Sequence, residues 1–267
     1  MVLDDTVKRW GQEAVDFGRT ATDYGRYRKP YPPEVFEGLR AFGCGTKGQH
    51  ILDLGTGTGY LARGMANSKA RVIGLEPSAD LIEEARRLDG IAGVQIDYLQ
   101  ASAEDTGLER SIVDWVTAAQ CWHWFDGVAC AREASRVLKP GGKLAIVHFD
   151  WLPQGDNVVS QTEALIEAHN PEWRLGGGNG LYPRYYADLH EAGFEGLEGH
   201  TRDLFVSYTH EGWRGRIRAS AGLGASLSAP QIAAFDGELT ALLQQNFPAD
   251  PLQIPYRFFC LVGQKPG

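Results

Sequence analysis

The chain has 267 residues, 34 of them acidic and 26 basic, for a formal net charge of −8 and a pI near 5.4. Its 43% hydrophobic and 22% charged residues exclude wholesale disorder, and its 33 glycines carry no period, which excludes collagen and implies many tight turns. The acidic balance argues against nucleic acid as a partner; Cys44, Cys121, Cys130 and Cys260 lack metal-binding spacing; and no run approaches the ~18 apolar residues of a membrane span.

Residues 6–28 read as one or two polar helices whose basic side chains, interleaved with acids, form a solvated face. Tyr31-Pro32-Pro33 breaks the chain, and Pro33 suits the first turn of a helix over 33–42, where no N–H is needed. From residue 50 apolar runs alternate with amphipathic stretches. The runs 50–55, 71–76, 96–101, 113–120 and 143–149 predict buried strands, and 59–67, 78–88 and 127–138 predict helices. This rhythm is that of right-handed βαβ units. Lys139-Pro140-Gly141-Gly142 predicts a helix stop and a tight turn. Beyond 150 the pattern predicts helices over 156–170, 185–192, 210–221 and 229–247, and strands over 197–208 and 254–264. The glycine run 176–180 has no Lys-Ser/Thr after it, so it predicts a mobile turn and not a phosphate loop.

The most informative stretch is Asp53-Leu54-Gly55-Thr56-Gly57-Thr58-Gly59, where an apolar run enters a glycine-rich turn and then a helix. Glycines there admit positive φ and let a ligand approach the backbone. Glu76, at the end of the next apolar run, stands where an acid accepts hydrogen bonds from both ribose hydroxyls of a bound nucleoside. Dinucleotide sites read G-x-G-x-x-G and take a pyrophosphate at the helix N-terminus. Asp53, two residues before the first glycine, would repel a pyrophosphate and suits a cationic group, such as the ammonium of S-adenosyl-L-methionine (SAM). An NAD(P)-dependent oxidoreductase and a SAM-binding regulator without transfer activity are the alternatives.

In these motifs the chain resembles the class I SAM-dependent methyltransferases, and among them the small-molecule branch containing ubiquinone/menaquinone C-methylating and trans-aconitate-methylating enzymes. DLGTGTG resembles the first motif of that family, with Asp53, Gly55, Thr56, Gly57 and Gly59 at the cofactor. GLEPSADLIEEAR resembles the second, with Glu76 on the ribose, Pro77 in the turn and Leu81 beside the adenine. ASAEDTGL resembles the third-strand stretch. There Ser102 replaces an acid that often meets the adenine amino group, Ala103 offers its N–H, and Glu104 is a substitute acceptor. AQCWHWFD and RVLKPGGKLAI resemble the segments around the fourth and fifth strands, and YGRYRKPYP resembles the opening segment of the branch. The resemblance implies an α/β, Rossmann-like seven-stranded sheet of order 3-2-1-4-5-7-6 with the last strand antiparallel. It also implies N-terminal lid helices over 1–45, a SAM-binding core over 46–150, and a helical substrate cap with the last strands over 151–267.

Methyl transfer from a sulfonium needs alignment and exclusion of water more than a catalytic triad. A base is required only where the acceptor arrives protonated. His123 is the natural base candidate and Tyr24 the candidate ring beside the sulfonium, a contact of ~0.5–2 kcal/mol. Arg28 is placed to pair with the cofactor carboxylate, and Gln120 to contact its methionine part. The expected reaction moves a methyl from SAM to a small molecule, leaving S-adenosyl-L-homocysteine (SAH). The acceptor atom is open: the aromatic residues past 150 suit a flat acceptor, and Arg214, Arg216 and Arg218 suit an acidic one. No metal, nucleic acid or membrane is expected, the chain is read as cytoplasmic, and a monomer or homodimer fits equally.

Overall fold

The computed structural model describes residues 30–220, 222–224 and 226–267. Tyr24, Arg28 and the helices expected over 6–28 lie outside the described residues.

The first helix, α1 (Pro33–Ala41), starts on the proline expected of it. Then follow β1 (His50–Leu54), α2 (Tyr60–Asn67), β2 (Arg71–Leu75), α3 (Ala79–Ala92), β3 (Asp97–Leu99) and β4 (Val113–Ala119). A 3-10 turn (Trp122–Trp124) leads to α4 (Gly127–Val137) and β5 (Leu138–Trp151). The chain continues through α5 (Val158–His169), α6 (Pro183–Glu191), β6 (Glu195–Tyr208), α7 (His210–Arg218), α8 (Ala229–Asn246) and β7 (Leu252–Gln264). Local chemistry sets several helix starts. Ser78 caps α3 by accepting from the Leu81 N–H, Asp126 caps α4 through Ala129, Asn157 caps α5 through Ser160, and Thr209 caps α7 through Gly212.

The seven strands form one sheet of order β3-β2-β1-β4-β5-β7-β6. The first five in that order are parallel, with Leu52 of β1 level with Ile73 of β2 and Val116 of β4. β7 runs antiparallel to β5: the Leu152 N–H donates to the Pro255 carbonyl and the Lys265 N–H to the Gly142 carbonyl. The sheet is therefore the expected Rossmann-like arrangement.

Two elements differ from the sequence reading. The expected strand over 96–101 shrinks to Asp97–Leu99, an edge strand with no buried residue. The Lys139-Pro140-Gly141-Gly142 segment is a bulge inside β5, not a turn before it. Val113 pairs with Leu138 and Trp115 with Lys143, so two steps along β4 face five along β5, with Gly141 at φ +72° absorbing the excess.

The chain divides into two compact units. The first comprises Pro30–His148, Tyr182–Thr201 and Phe258–Gly267. Its core packs Leu52, Leu54, Val116, Ala118, Leu144 and Ile146 of the sheet with Cys130, Ala131, Ala134 and Val137 of α4 and Tyr185 and Leu189 of α6. The second unit contains Phe149–Leu181 and Arg202–Arg257. Its centre is Trp213, whose indole N–H donates to Thr162 Oγ1 at 3.1 Å and whose ring meets Trp151 edge-on at 5.4 Å. Arg214 and Arg218, one turn apart, both pair with Asp236 of α8, while Arg216 lies over the Trp151 ring at 4.8 Å. The glycine run 176–180 is tied down, because the Gly177 N–H donates to the buried carboxylate of Glu163 at 2.8 Å.

Candidate functional site

β1 ends at Leu54, and the chain turns through Gly55, Gly57 and Gly59 at φ +56°, +56° and +78° before α2 begins. These are left-handed values that side chains resist, which explains glycine at alternate positions. The three glycines nonetheless have different neighbours. A Cβ on Gly55 would meet Cys121 and Phe125, and one on Gly59 would lie 2.6 Å from the Tyr98 hydroxyl. One on Gly57 would meet no atom of the described residues within 4 Å. Gly57 therefore marks the open side of the loop.

Asp53 sits under this turn, 1% exposed. Its two oxygens accept hydroxyl hydrogen bonds from Thr56 and Thr117, each 2.7 Å. Burial pushes its carboxyl up to about 6; the Thr117 and Thr56 hydroxyls oppose this and the nearby Glu76 charge adds to it. The sequence placed Asp53 against a ligand cation. The structure makes it the anchor of the loop, with its negative charge directly beneath.

Glu76, 7% exposed, follows β2 and accepts from the Gly57 N–H at 3.0 Å and the Ser78 N–H at 3.1 Å. Burial raises its carboxyl and the two N–H donors partly offset that. A carboxylate has roughly four lone-pair sites, so one per oxygen is left for further donors. That is the acceptor set a ribose cis-diol requires. The residues present thus fit a nucleoside: a paired acceptor and, among the described residues, a bare backbone hollow at Gly57 and a buried Thr58 hydroxyl without a hydrogen-bond partner.

A second layer holds the loop from behind. Arg63 of α2 reaches the Thr58 carbonyl and the Ala85 carbonyl, and pairs with Asp89 of α3 at 2.7 Å. The Tyr98 hydroxyl donates to the other oxygen of Asp89 at 2.8 Å. Sequence reasoning missed this triad, because its members are scattered over three elements: Arg63 and Asp89 look like ordinary surface residues of helices, and Tyr98 like one more member of a strand.

The other candidates take clear places. Pro77 opens the turn after Glu76, and its carbonyl accepts from Gln100 at 3.0 Å; Leu81 is buried in the first turn of α3. The Ser102 hydroxyl accepts from the Asp105 N–H at 3.2 Å, Ala103 is buried, and Glu104 accepts from the Asp126 N–H at 3.0 Å. Glu104 therefore joins the segment after β3 to the N-terminus of α4. Gln120 leaves β4 at φ +62°, a strained value for a non-glycine residue, with its N–H donating to the Val147 carbonyl. His123 is half-buried in the 3-10 turn. His148, absent from the sequence candidates, lies beside it with ring centroids 5.6 Å apart. The one signal for it was a histidine inside the otherwise apolar run KLAIVHF.

A sheet of this order, with a glycine turn after its first strand and an acid after its second, defines a Rossmann-like nucleoside-binding protein. Residues 52–146 match the model of the methyltransferase domain. An uncharacterised methyltransferase of Mycobacterium tuberculosis is 34% identical over 195 residues, covering 66% of this chain and 75% of that one. A ubiquinone biosynthesis O-methyltransferase of Xanthomonas axonopodis is 29% identical over 176 residues, 65% of this chain and 72% of that one. The fold is shared with phosphoethanolamine N-methyltransferase 2 of Haemonchus contortus in its complex with phosphomonomethylethanolamine and SAH. The TM-score is 0.59 and the identity 20%, over 100% of this chain and 61% of that one. The chain belongs to the SAM-dependent methyltransferase family, and SAM is its methyl donor.

Among the described residues no helix is long and apolar enough to cross a membrane, and no group of acidic, histidine and cysteine side chains could hold a metal ion.

Proposed function

We propose that this chain methylates a small-molecule acceptor, with SAM seated on the Gly55–Gly59 turn and its ribose on Glu76. The observation that carries the reading is the Glu76 carboxylate, fixed by two backbone N–H groups with one acceptor position per oxygen remaining, beside the open face of Gly57. Bound SAM supplies an electrophilic methyl on a cationic sulfur. Asp53 places a buried negative charge beneath the turn for the ammonium group of SAM, Leu81 and Ala103 offer apolar surface to the adenine, and Glu104 keeps the segment after β3 against the start of α4. Gln120 and His123 stand at the carboxyl end of β4, where ligands of open α/β sheets bind. The Xanthomonas relative, an O-methyltransferase by name, favours oxygen as the acceptor atom.

Calorimetric titration tests the cofactor seat. SAM is expected to bind and NADH to give no heat; the reverse would overturn the reading. Glu76→Ala removes charge-assisted hydrogen bonds to the ribose, so it is expected to weaken SAM binding by about 2 kcal/mol, roughly 30-fold.

A further inference from the structure

Two imidazoles and two phenols meet where β4 and β5 end. The His123 ring centroid lies 4.5 Å from that of Trp124 and 5.6 Å from that of His148. His148 is 1% exposed, 4.0 Å from Tyr182 and 5.6 Å from Tyr185, with its Nε2 3.4 Å from the Tyr185 hydroxyl. Tyr182 and Tyr185 stack at 4.8 Å with planes 1° apart. Trp122 stands edge-on to Tyr185, its indole N–H donating to Asp188 at 3.0 Å, and Arg184 lies 3.8 Å from Asp188. Among the described residues, the titratable and charged groups that face the imidazole pair are the Tyr182 and Tyr185 phenols and, beyond Trp122, the Asp188–Arg184 pair. A leucine or phenylalanine would fill the position of His148 without burying polar nitrogens.

We infer that His123 and His148 work as a paired proton acceptor, His123 toward the acceptor molecule and His148 as its positioning residue, and that the acceptor is a phenol-type hydroxyl on a planar ring. This rests on the methyl-transfer reading above. A carboxylate acceptor arrives charged and needs no base. A phenol, with a pKa of about 10, arrives protonated at neutral pH. In the transfer an oxygen lone pair forms the bond to the methyl carbon. The carbon–sulfur bond breaks with its electron pair on sulfur, and the hydroxyl proton passes to His123. The products are the aryl methyl ether, SAH and a His123 imidazolium that returns its proton to solvent. The Trp124 ring face attracts that imidazolium. Two imidazolium charges at this separation would repel each other. The Tyr185 hydroxyl and the stacked tyrosines fix the His148 ring from the core side, and half-buried Trp124 gives the site, beside His123, the flat ring face a planar acceptor fits.

Two measurements decide it. In the SAH-bound protein, long-range proton–nitrogen NMR follows both imidazoles through a pH titration. Coupling predicts that His148→Gln moves the His123 midpoint by about one pH unit, and that Tyr185→Phe, which keeps the ring, moves it in smaller measure. An unchanged His123 midpoint in His148→Gln overturns the pairing. With methyl-labelled SAM, catechol and benzoate are offered separately. Label is expected in the catechol ether and not in benzoate, and His123→Gln is expected to lower kcat about 100-fold at unchanged KM for SAM. Label in benzoate, or none in catechol, overturns the acceptor class. Calorimetry of SAM on the same variants keeps these outcomes apart from a failure of the cofactor seat, which would appear as lost SAM binding in the wild type.

Discussion

Gly57 and Gly59 separate folding from binding, because their neighbours differ although their backbones are alike. Both have left-handed φ, so alanine at either position costs about 1 kcal/mol in backbone strain. At Gly59 a methyl would also run into Tyr98 and Arg63, which are locked to Asp89 and cannot yield freely. Gly59→Ala should therefore lower the midpoint of denaturant unfolding more than Gly57→Ala. At Gly57 the methyl meets no atom of the described residues and enters the proposed cofactor seat, so Gly57→Ala should stay folded and lose most SAM affinity by calorimetry. Equal unfolding midpoints with full SAM binding in Gly57→Ala would place the cofactor elsewhere. Asp53 adds a pH signature. Its carboxyl rises from 3.8 to about 6 on folding, so its contribution to stability is present below about 3.8 and is lost as pH rises through about 6. On the scale of 1.4 kcal/mol per unit that is about 3 kcal/mol. A bound cation favours the ionised form, so SAM affinity should move the opposite way, falling about tenfold per unit as pH drops below 6. Asp53→Asn should flatten both slopes in urea melts and titrations recorded from pH 4.5 to 7.5.

At the scale of elements, Arg63, Asp89 and Tyr98 tie α2, α3 and β3 to the back of the glycine turn. Removing one partner of a buried pair leaves a charge unpaired, which typically costs 3–5 kcal/mol. Arg63→Met should show that loss in urea unfolding, and Arg63→Met/Asp89→Leu should recover part of it; a double variant no better than the single would show that the carboxylate is not what Arg63 answers. The same triad shows where the sequence stops being legible. The Asp53–Gly59 turn and the place of Glu76 after β2 are read from local sequence, because both are set by backbone geometry within one βαβ unit. The parallel strands are read from apolar runs, because burial on both faces leaves no room for polar residues. Arg63 and Asp89 lie on helices whose outer faces carry charge, and only the folded chain shows that these two point inward. His148 was hidden for the opposite reason, being one polar residue inside a run that reads as core. The start of β5 was misread because Lys139-Pro140-Gly141-Gly142 has the composition of a turn, and nothing local distinguishes a turn from a bulge that stays paired.

Across the whole molecule the four cysteines form a built-in probe of opening. Cys44, Cys121, Cys130 and Cys260 are all buried and free of disulfides. Burial pushes the Cys260 thiol up to about 12, and the other three well above an ordinary cysteine. Thiolate is the reactive form, and at pH 8 an ordinary thiol of pKa ~8.5 is roughly a quarter ionised, whereas one at 12 is ionised about once in ten thousand. The native chain should therefore react with Ellman's reagent only through opening, with all four thiols appearing together in guanidinium. Cys121 is the informative one. Its Sγ donates to the Leu54 carbonyl at 3.2 Å and it packs against Gly55, directly beneath the proposed cofactor seat. SAM at 100 times its Kd stabilises the closed form by about 2.7 kcal/mol. Alkylation at Cys121, followed by peptide mass spectrometry, should slow about 100-fold under that condition. Cys121 alkylated at the rate of a free thiol, or indifferent to saturating SAM, would dissociate the floor of the glycine turn from the binding of the cofactor.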